Sequence, residues 1–252
     1  IEAFFEQDHT RARILYKIYK NNDYVDVDVT LFMGDIDRAI KLKLPICIDG
    51  TLVGQTAYAT ENLYTDAREN VAHRFVAVKG EKKSLVLMNT GVYGRHFEKG
   101  ALYMSLVRGV TYCAHPIMDR PLLPSDRFTK KIDQGESTFS FRLGVVDNDC
   151  LERETQIFTQ KPYGLNVFPV PTQADPQPFR VSLSDDHVAV TVVKKADGRE
   201  AILFRLHNNT DHEVNTAITV NEITLPLSFG RFEVKTVMWE KNALTEEYTM
   251  LI

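Results

Sequence analysis

Apolar and polar residues alternate through long stretches of this chain. Ala12, Ile14, Tyr16 and Ile18 are interleaved with Arg11, Arg13 and Lys17, and Val25, Val27, Val29 and Leu31 with Asp26, Asp28 and Thr30. Ile40, Leu42, Leu44, Ile46 and Ile48 repeat the pattern around Lys41 and Lys43. It returns at Phe139, Phe141 and Leu143, at Val188, Val190 and Val192, and at Phe232, Val234, Thr236 and Met238. A period of two sends successive side chains to opposite faces of an extended backbone, so each run predicts a strand with one dry face. Further strand-like runs cover 71–78, 84–89, 101–108, 201–207 and 214–225. No stretch of about a dozen residues carries an apolar stripe at helical spacing. The pattern predicts an all-β chain.

Turn-forming residues punctuate the runs: Asn21-Asn22-Asp23, Asp49-Gly50, Asn89-Thr90-Gly91, Asp147-Asn148-Asp149, Asp197-Gly198 and Asn208-Asn209. The segment 162–178 holds five of the ten prolines. Proline has no N–H to give to a ladder, so this stretch is expected to be an extended connector rather than a central strand. It divides the chain into an expected larger β-sandwich over 1–161 and a smaller one over 179–252.

Composition narrows the function. With 252 residues, 44% hydrophobic and 25% charged, and a net charge of −4, the balance is that of a globular protein. No apolar run approaches the ~18–20 residues that span a bilayer, and the N-terminus lacks the layout of a secretion signal. Mild acidity with scattered cations argues against nucleic acid as a partner. The cysteines Cys47, Cys113 and Cys150 are odd in number and widely spaced, which fits neither a disulfide framework nor a metal clip. Each is expected to be a small buried hydrophobe, and the expected location is a reducing cytoplasm. The sequence opens at Ile1, without methionine and directly in strand-like text, and reads as a piece of a longer protein.

Candidate chemistry is sparse. His207, Asp211 and His212 are the nearest approach to a zinc ligand group, but they fall in a turn, HNNTDH. Asp147 with Asp149, and Asp185 with Asp186, read as solvated turn residues. His73 lies in a strand run and reads as a packed or paired histidine. Asn208-Asn209-Thr210 matches a glycosylation sequon, a common pattern. The one tryptophan, Trp239, ends a terminal strand, and most tyrosines and phenylalanines fall within strand runs and look like core.

Several segments, in order, resemble the C-terminal region of family 38 glycoside hydrolases, the class II α-mannosidases. YVDVDVTLFMGDIDRAIKLKLPICID is similar to their strand, acidic turn and strand ending in a proline-bearing segment. ARENVAHRFVAV resembles "ARFEV-AHRW" at Ala67, Arg68, Val71, Ala72, His73 and Arg74, with Phe75 in place of tryptophan. SLVLMNTGVYGRHFEKGALYMSLVRGVTY resembles "ALLNDCKYGYDIKGNVLRLSLLRSPTY" at Leu87, Asn89, Tyr93, Gly94, Gly100, Leu106, Arg108, Thr111 and Tyr112. DQGESTFSFRL resembles "DQGEHEFTYAL", and ITLPLSFGRFEVKTVMW the closing "L-PFEIKTLRL". The chain departs from the family in the shorter ATENLYTD approach, 59–66, and the longer loop 114–131, both of which point to a bacterial branch.

The resemblance implies a supersandwich of the galactose mutarotase type followed by a smaller sandwich. It also implies a retaining hydrolysis of α-mannosidic bonds by two carboxyl groups, with zinc holding mannose hydroxyls. Those groups belong to an N-terminal α/β barrel and helical bundle, which would be this chain's partners in one protein, so no catalytic residue and no zinc ligand is assigned here. A homo-oligomer is possible. Residues able to reach a mannose-containing saccharide are Arg68, Tyr93 and Arg95, with Asp119 and Arg120 in the long loop; Asp126 and Arg127 of that loop are able to reach a neighbouring domain, and packing between domains is the favoured reading of the loop as a whole. For Arg68 the competing reading is an ion pair with Asp66 or Glu69. A mannosylglycerate hydrolase of the same family, a free-standing carbohydrate-binding module and an adhesive β-sandwich are the alternatives.

Overall fold

The computed structural model describes residues 1–111, 130–166, 168 and 179–248. The alternation becomes antiparallel strands, and the chain divides into two compact units. One comprises Ile1–Thr56 with Thr60–Asn148, the other Ala57–Ala59 with Asp149–Ile252.

In the first unit an eight-stranded sheet has the order β1 (Glu2–Gln7), β2 (Thr10–Ile18), β3 (Tyr24–Met33), β12 (Gly135–Asp147), β9 (Lys83–Asn89), β8 (Phe75–Lys79), β5 (Thr51–Thr56), β6 (Ala59–Asn62). A four-stranded sheet has the order β4 (Ala39–Pro45), β11 (Ala101–Arg108), β10 (Gly94–Glu98), β7 (Glu69–Val71). Register is set by the dry face. Ile14 lies opposite Val29, Val29 opposite Phe139 and Val27 opposite Phe141. One residue of slip would turn all of them toward water. Val29, Leu31, Met33, Leu87, Met104 and Phe141 form the centre of this core, each 5% exposed or less. Truncating Phe141 to alanine there would cost roughly 3–5 kcal/mol.

On the other face of β3 and its neighbours the polar half of the alternation forms a charged ladder, with Lys17 paired to Asp28 and Arg142 to Asp26. That ladder does not extend to β8 and β9. Their second face is also dry, since Phe75, Val76, Ala77 and Val78 are all buried, as are Ser84, Val86 and Met88.

The β10–β11 hairpin shows how the turn chemistry operates. Glu98 pairs with Ala101, and the two residues between them, Lys99 and Gly100, have φ of 49° and 72°. Both positive values match the right-handed twist of the flanking strands, and glycine takes the second at no steric cost.

The longer segment of the second unit contains helix α1 (Leu151–Thr159), which the strand-dominated pattern did not predict. It is too short for the apolar stripe to show in a long window: only Leu151 and Thr155, one turn apart, are buried. Glu152 and Glu154 in its first turn complement the positive end of the helix dipole. Two sheets follow. One has the order β13 (Val181–Leu183), β16 (Val214–Val220), β17 (Ile223–Phe229), the other β14 (Val188–Lys195), β15 (Ala201–Asn208), β18 (Val234–Glu240), β19 (Ala243–Glu247). Phe204, Leu206, Ile218, Val220, Phe229 and Val237 make their shared core, and Trp239 packs against it.

Two expectations are corrected. Cys47 is exposed and Cys150 half-buried, so neither is the buried hydrophobe expected; Cys113 lies outside the described residues. Phe4, Phe5 and Phe32 sit in strands but are 71%, 57% and 49% exposed. Phe32 takes a polar-face position of β3, and Phe4 and Phe5 occupy an edge strand, so strand membership did not imply burial for them.

Candidate functional site

Of the residues singled out in the sequence, Arg95 lies in β10, and Arg68 and Tyr93 immediately precede β7 and β10. The two strands pair with Val71 opposite Gly94, Asn70 opposite Arg95 and Glu69 opposite His96. Asn70, 7% exposed, organises the loop ahead of β7. Its Oδ1 accepts from the Tyr64 N–H at 2.9 Å, and its Nδ2 donates to the carbonyls of Tyr64 and Arg68, both at 3.1 Å. The loop passes through Ala67 at φ 68°, a left-handed conformation that only a locally held chain keeps.

This folding brings Tyr64, Asp66 and Arg68 together on the surface. The Arg68 Nε donates to both Asp66 carboxylate oxygens, at 3.0 and 2.9 Å, and the guanidinium carbon lies 3.7 Å from the Tyr64 ring centroid. The hydrogen bond from Arg68 holds the Asp66 carboxyl below its ordinary range, and Asp66 in turn raises Arg68. The Arg68 side chain is still 60% exposed. The ion pair with Asp66 and an accessible, aromatic-backed guanidinium therefore coexist.

Arg95 lies elsewhere, wholly inside the protein. Its Nη2 donates to the carbonyls of Ala72, Val92 at 2.7 Å and His73 at 3.3 Å, and its Nε to that of Tyr93 at 3.3 Å. Nη1 has no partner. Burial pushes the guanidinium down to about 10, which leaves it charged at neutral pH. Arg95 thus ties together two chain segments from beneath and does not line their surface. Asn89, also fully buried, does the same for the turn that follows it, accepting from Gly91 and Val92 and donating to the His73 carbonyl. What these two buried groups present outward is Tyr93, 51% exposed, with its ring tilted against His73 at 5.4 Å.

Arg68 and Tyr93 do not form one site. The Ala67 N–H donates to Phe97, whereas the Ala72 N–H donates to Tyr93, so the two side chains mark opposite ends of the β7–β10 pairing. Asp119, Arg120, Asp126 and Arg127 lie outside the described residues.

One cluster was not anticipated. Lys41 Nζ bonds both Glu69 and His96 Nδ1, and the His96 ring stacks on Tyr103 with 4.6 Å between centroids and 4° between planes. Since an ammonium can only donate, His96 Nδ1 is the acceptor in that contact. Lys41 was visible as a polar position in an alternating strand, but its partners stand 28 and 55 residues away in sequence. These groups can bind and orient a polar ligand. The carboxylates among them are already engaged, Asp66 by Arg68 and Glu69 by Lys41.

Zinc does not fit these residues. Among the described residues no group of three His, Cys, Asp or Glu side chains converges as a site would require. His212 instead contacts its neighbour Asp211 at 3.4 Å, and His187 pairs with Asp185 at 2.8 Å.

A scan against protein-family models and a search of curated proteins by sequence found no match. Solved structures do match the fold. An alpha-mannosidase from Enterococcus faecalis V583 superposes with a TM-score of 0.74 at 14% identity, over 92% of this chain and 29% of that one. A protein of glycosyl hydrolase family 38 from Enterococcus faecalis superposes at 0.75, again with 14% identity, over 92% of this chain and 30% of the other. At that identity the likeness shows a shared fold. The chain spans less than a third of either structure's length.

Proposed function

We propose that this chain is the C-terminal β portion of a retaining family 38 α-mannosidase of bacterial type, acting as a non-catalytic accessory to a barrel and helical bundle in the same protein. The observation that carries the reading is the match of both units, over 92% of the chain, to about a third of two much larger family 38 structures. The ordered DQGE, YG and AHR segments support it independently, because they rest on residue identities and not on backbone shape. In this reading zinc and both reacting carboxyls belong to the barrel, and the β portion adds packing and a saccharide contact from Arg68 or Tyr93. A mannosylglycerate hydrolase differs only in the aglycone accepted.

The test compares the chain alone with the chain joined to a family 38 barrel and bundle, assayed on an aryl α-mannoside with zinc content measured in parallel. The expected result is no turnover and no stoichiometric zinc for the chain alone, and both for the joined protein. Turnover by the purified chain alone overturns the accessory role. In the joined protein, Arg68→Ala should lower kcat/KM about tenfold to a hundredfold if the guanidinium meets sugar, since each 1.36 kcal/mol is a factor of ten. A competing reading as an independent carbohydrate-binding module predicts instead that the chain alone is retarded in mannan-containing gels.

A further inference from the structure

Three buried polar side chains of the first unit, Gln55, Asn89 and Arg95, are spent on two short stretches of backbone. The His73 carbonyl accepts from Asn89 Nδ2 at 2.9 Å and from Arg95 Nη2 at 3.3 Å, and the His73 N–H donates to the Gln55 carbonyl at 2.7 Å. The next N–H, that of Arg74, donates to Gln55 Oε1 at 3.0 Å. Facing this stretch, the Tyr93 carbonyl accepts from Arg95 Nε at 3.3 Å and from the Ala72 N–H at 3.2 Å. The turn leading into Tyr93 is closed by Asn89 Oδ1, which accepts from the N–H groups of Gly91 and Val92. Buried polar groups are costly unless bonded, and these bonds leave the backbone at His73 and Tyr93 few alternatives. The two rings it carries are fixed before anything binds.

What those rings leave open sets them apart. Tyr93 is half-exposed and touches the His73 ring at 5.4 Å with 53° between planes. Among the described residues, neither the Tyr93 hydroxyl nor a His73 ring nitrogen has a hydrogen-bond partner. The other exposed aromatic residues of this unit differ. The Tyr64 ring lies under the Arg68 guanidinium, and Tyr19 is bonded to Asp26 and packed edge-on against Tyr24. Phe4, Phe5 and Phe32 carry no polar group to orient a ligand.

We propose that Tyr93 and His73 form a subsite for one pyranose ring of a mannose-containing saccharide, its C–H face stacked on Tyr93 and its hydroxyls bonded to the Tyr93 hydroxyl and a His73 ring nitrogen. The proposal rests on the saccharide contact of the preceding section and places it at this end of the β7–β10 pairing. A pyranose offers a patch of ring C–H groups rimmed by hydroxyls. A phenol offers the matching pair, an apolar face and a polar end, with only two torsions to immobilise. Hydroxyls both donate and accept, and a neutral imidazole does one at each nitrogen, so the two meet in either role. Contact through one ring of about a dozen non-hydrogen atoms gives roughly millimolar affinity. That strength suits one wall of a pocket that other residues complete.

Saturation-transfer NMR on the 252-residue chain with methyl α-D-mannoside reads the contact directly. Transfer should reach ring C–H protons of one face, with a dissociation constant of roughly millimolar. Tyr93→Ala should raise that constant at least about tenfold. Tyr93→Phe and His73→Ala should each raise it about twofold to tenfold, the range of one neutral hydrogen bond. Phe32→Ala, which removes another exposed ring, should change nothing. Mannitol, with the hydroxyls but no ring face, should receive no transfer. If Tyr93→Ala does not fold, Tyr93→Phe and His73→Ala decide. Absent transfer to the mannoside, transfer that survives these variants, or equal transfer to mannitol overturns the proposal. The readout involves no barrel and no turnover. Loss of the subsite leaves the accessory role standing, and turnover by the chain alone overturns that role without touching the subsite.

Discussion

Arg142 and Asp26 lie directly opposite each other across the β12–β3 pairing and meet in a fork, Nε to Oδ1 at 2.6 Å and Nη2 to Oδ2 at 3.0 Å. Their side chains are 16% and 15% exposed, and the Tyr24 ring lies 3.7 Å from the guanidinium carbon. The hydrogen bonds that Arg142 donates to Asp26 raise its pKa. Most other ion pairs described above are open to water, where such pairs contribute ~0–1 kcal/mol.

Asp26→Asn keeps the shape of that contact and removes its charge. The expected loss is about 1.5–3 kcal/mol, the value of a hydrogen bond to a charged group. It should appear as a lower urea midpoint at unchanged slope. Arg142→Met should cost a similar amount, and the double variant less than the sum, because the partners share one interaction.

Arg95→Met should be among the most damaging single changes in the first unit. It strips a donor from each of the carbonyls of Ala72, His73, Val92 and Tyr93; those of His73 and Tyr93 keep a second donor, from Asn89 Nδ2 and the Ala72 N–H, while a buried acceptor left unpaired costs about 1–3 kcal/mol. Arg95→Lys should recover only part, since an ammonium has no planar fork. The sign of the pH effect is opposite to that of a surface arginine. The folded value of about 10 lies below the ordinary 12.5, so burying the charge costs stability at neutral pH. That cost is relieved as pH rises through about 10. Thermal melts of the three proteins check the ranking.

The sequon at Asn208 should remain unmodified when the chain is passed through a eukaryotic secretory pathway. Asn208 is fully buried, and its Nδ2 donates to the carbonyls of His212 and Gly230, both at 2.8 Å. An intact mass unchanged by glycosidase treatment is the expected result; a glycan on the folded, secreted chain would contradict this account of Asn208.

His187→Ala should make the second unit more sensitive to acid. Partial burial pushes the Asp185 carboxyl up, but the backbone and side-chain hydrogen bonds from His187 together outweigh it and leave the group below its ordinary 3.8. The resulting stabilisation is complete above that ordinary value and is lost as pH falls through the lowered one. Acid unfolding followed by circular dichroism should begin at higher pH in the variant.

The strands were legible because one face of nearly every run is dry, as at Val25 to Leu31 and Phe139 to Leu143. Helix α1 was not, since two buried positions in nine residues give no periodic signal. The site was legible only where partners are close in sequence. Asp66 as a partner for Arg68 was one of two named; Lys41 with Glu69 and His96 was not, because strand order brings them together. Arg95 looks outward-facing in the sequence for a related reason. In an antiparallel pair it lies opposite Met104, whose complete burial shows the face, but that register is invisible in a single strand.

The dry second face of β8 and β9 has a consequence for motion. An amide in either strand cannot meet solvent through local fraying, because water must displace packed side chains above and below it. Deuterium uptake should therefore be slowest at Val76 to Val78 and Val86 to Met88, reached only when the whole unit opens. Solvent exchange would then report two clocks within one sheet, a fast one where only one face is packed and a slow one at the middle.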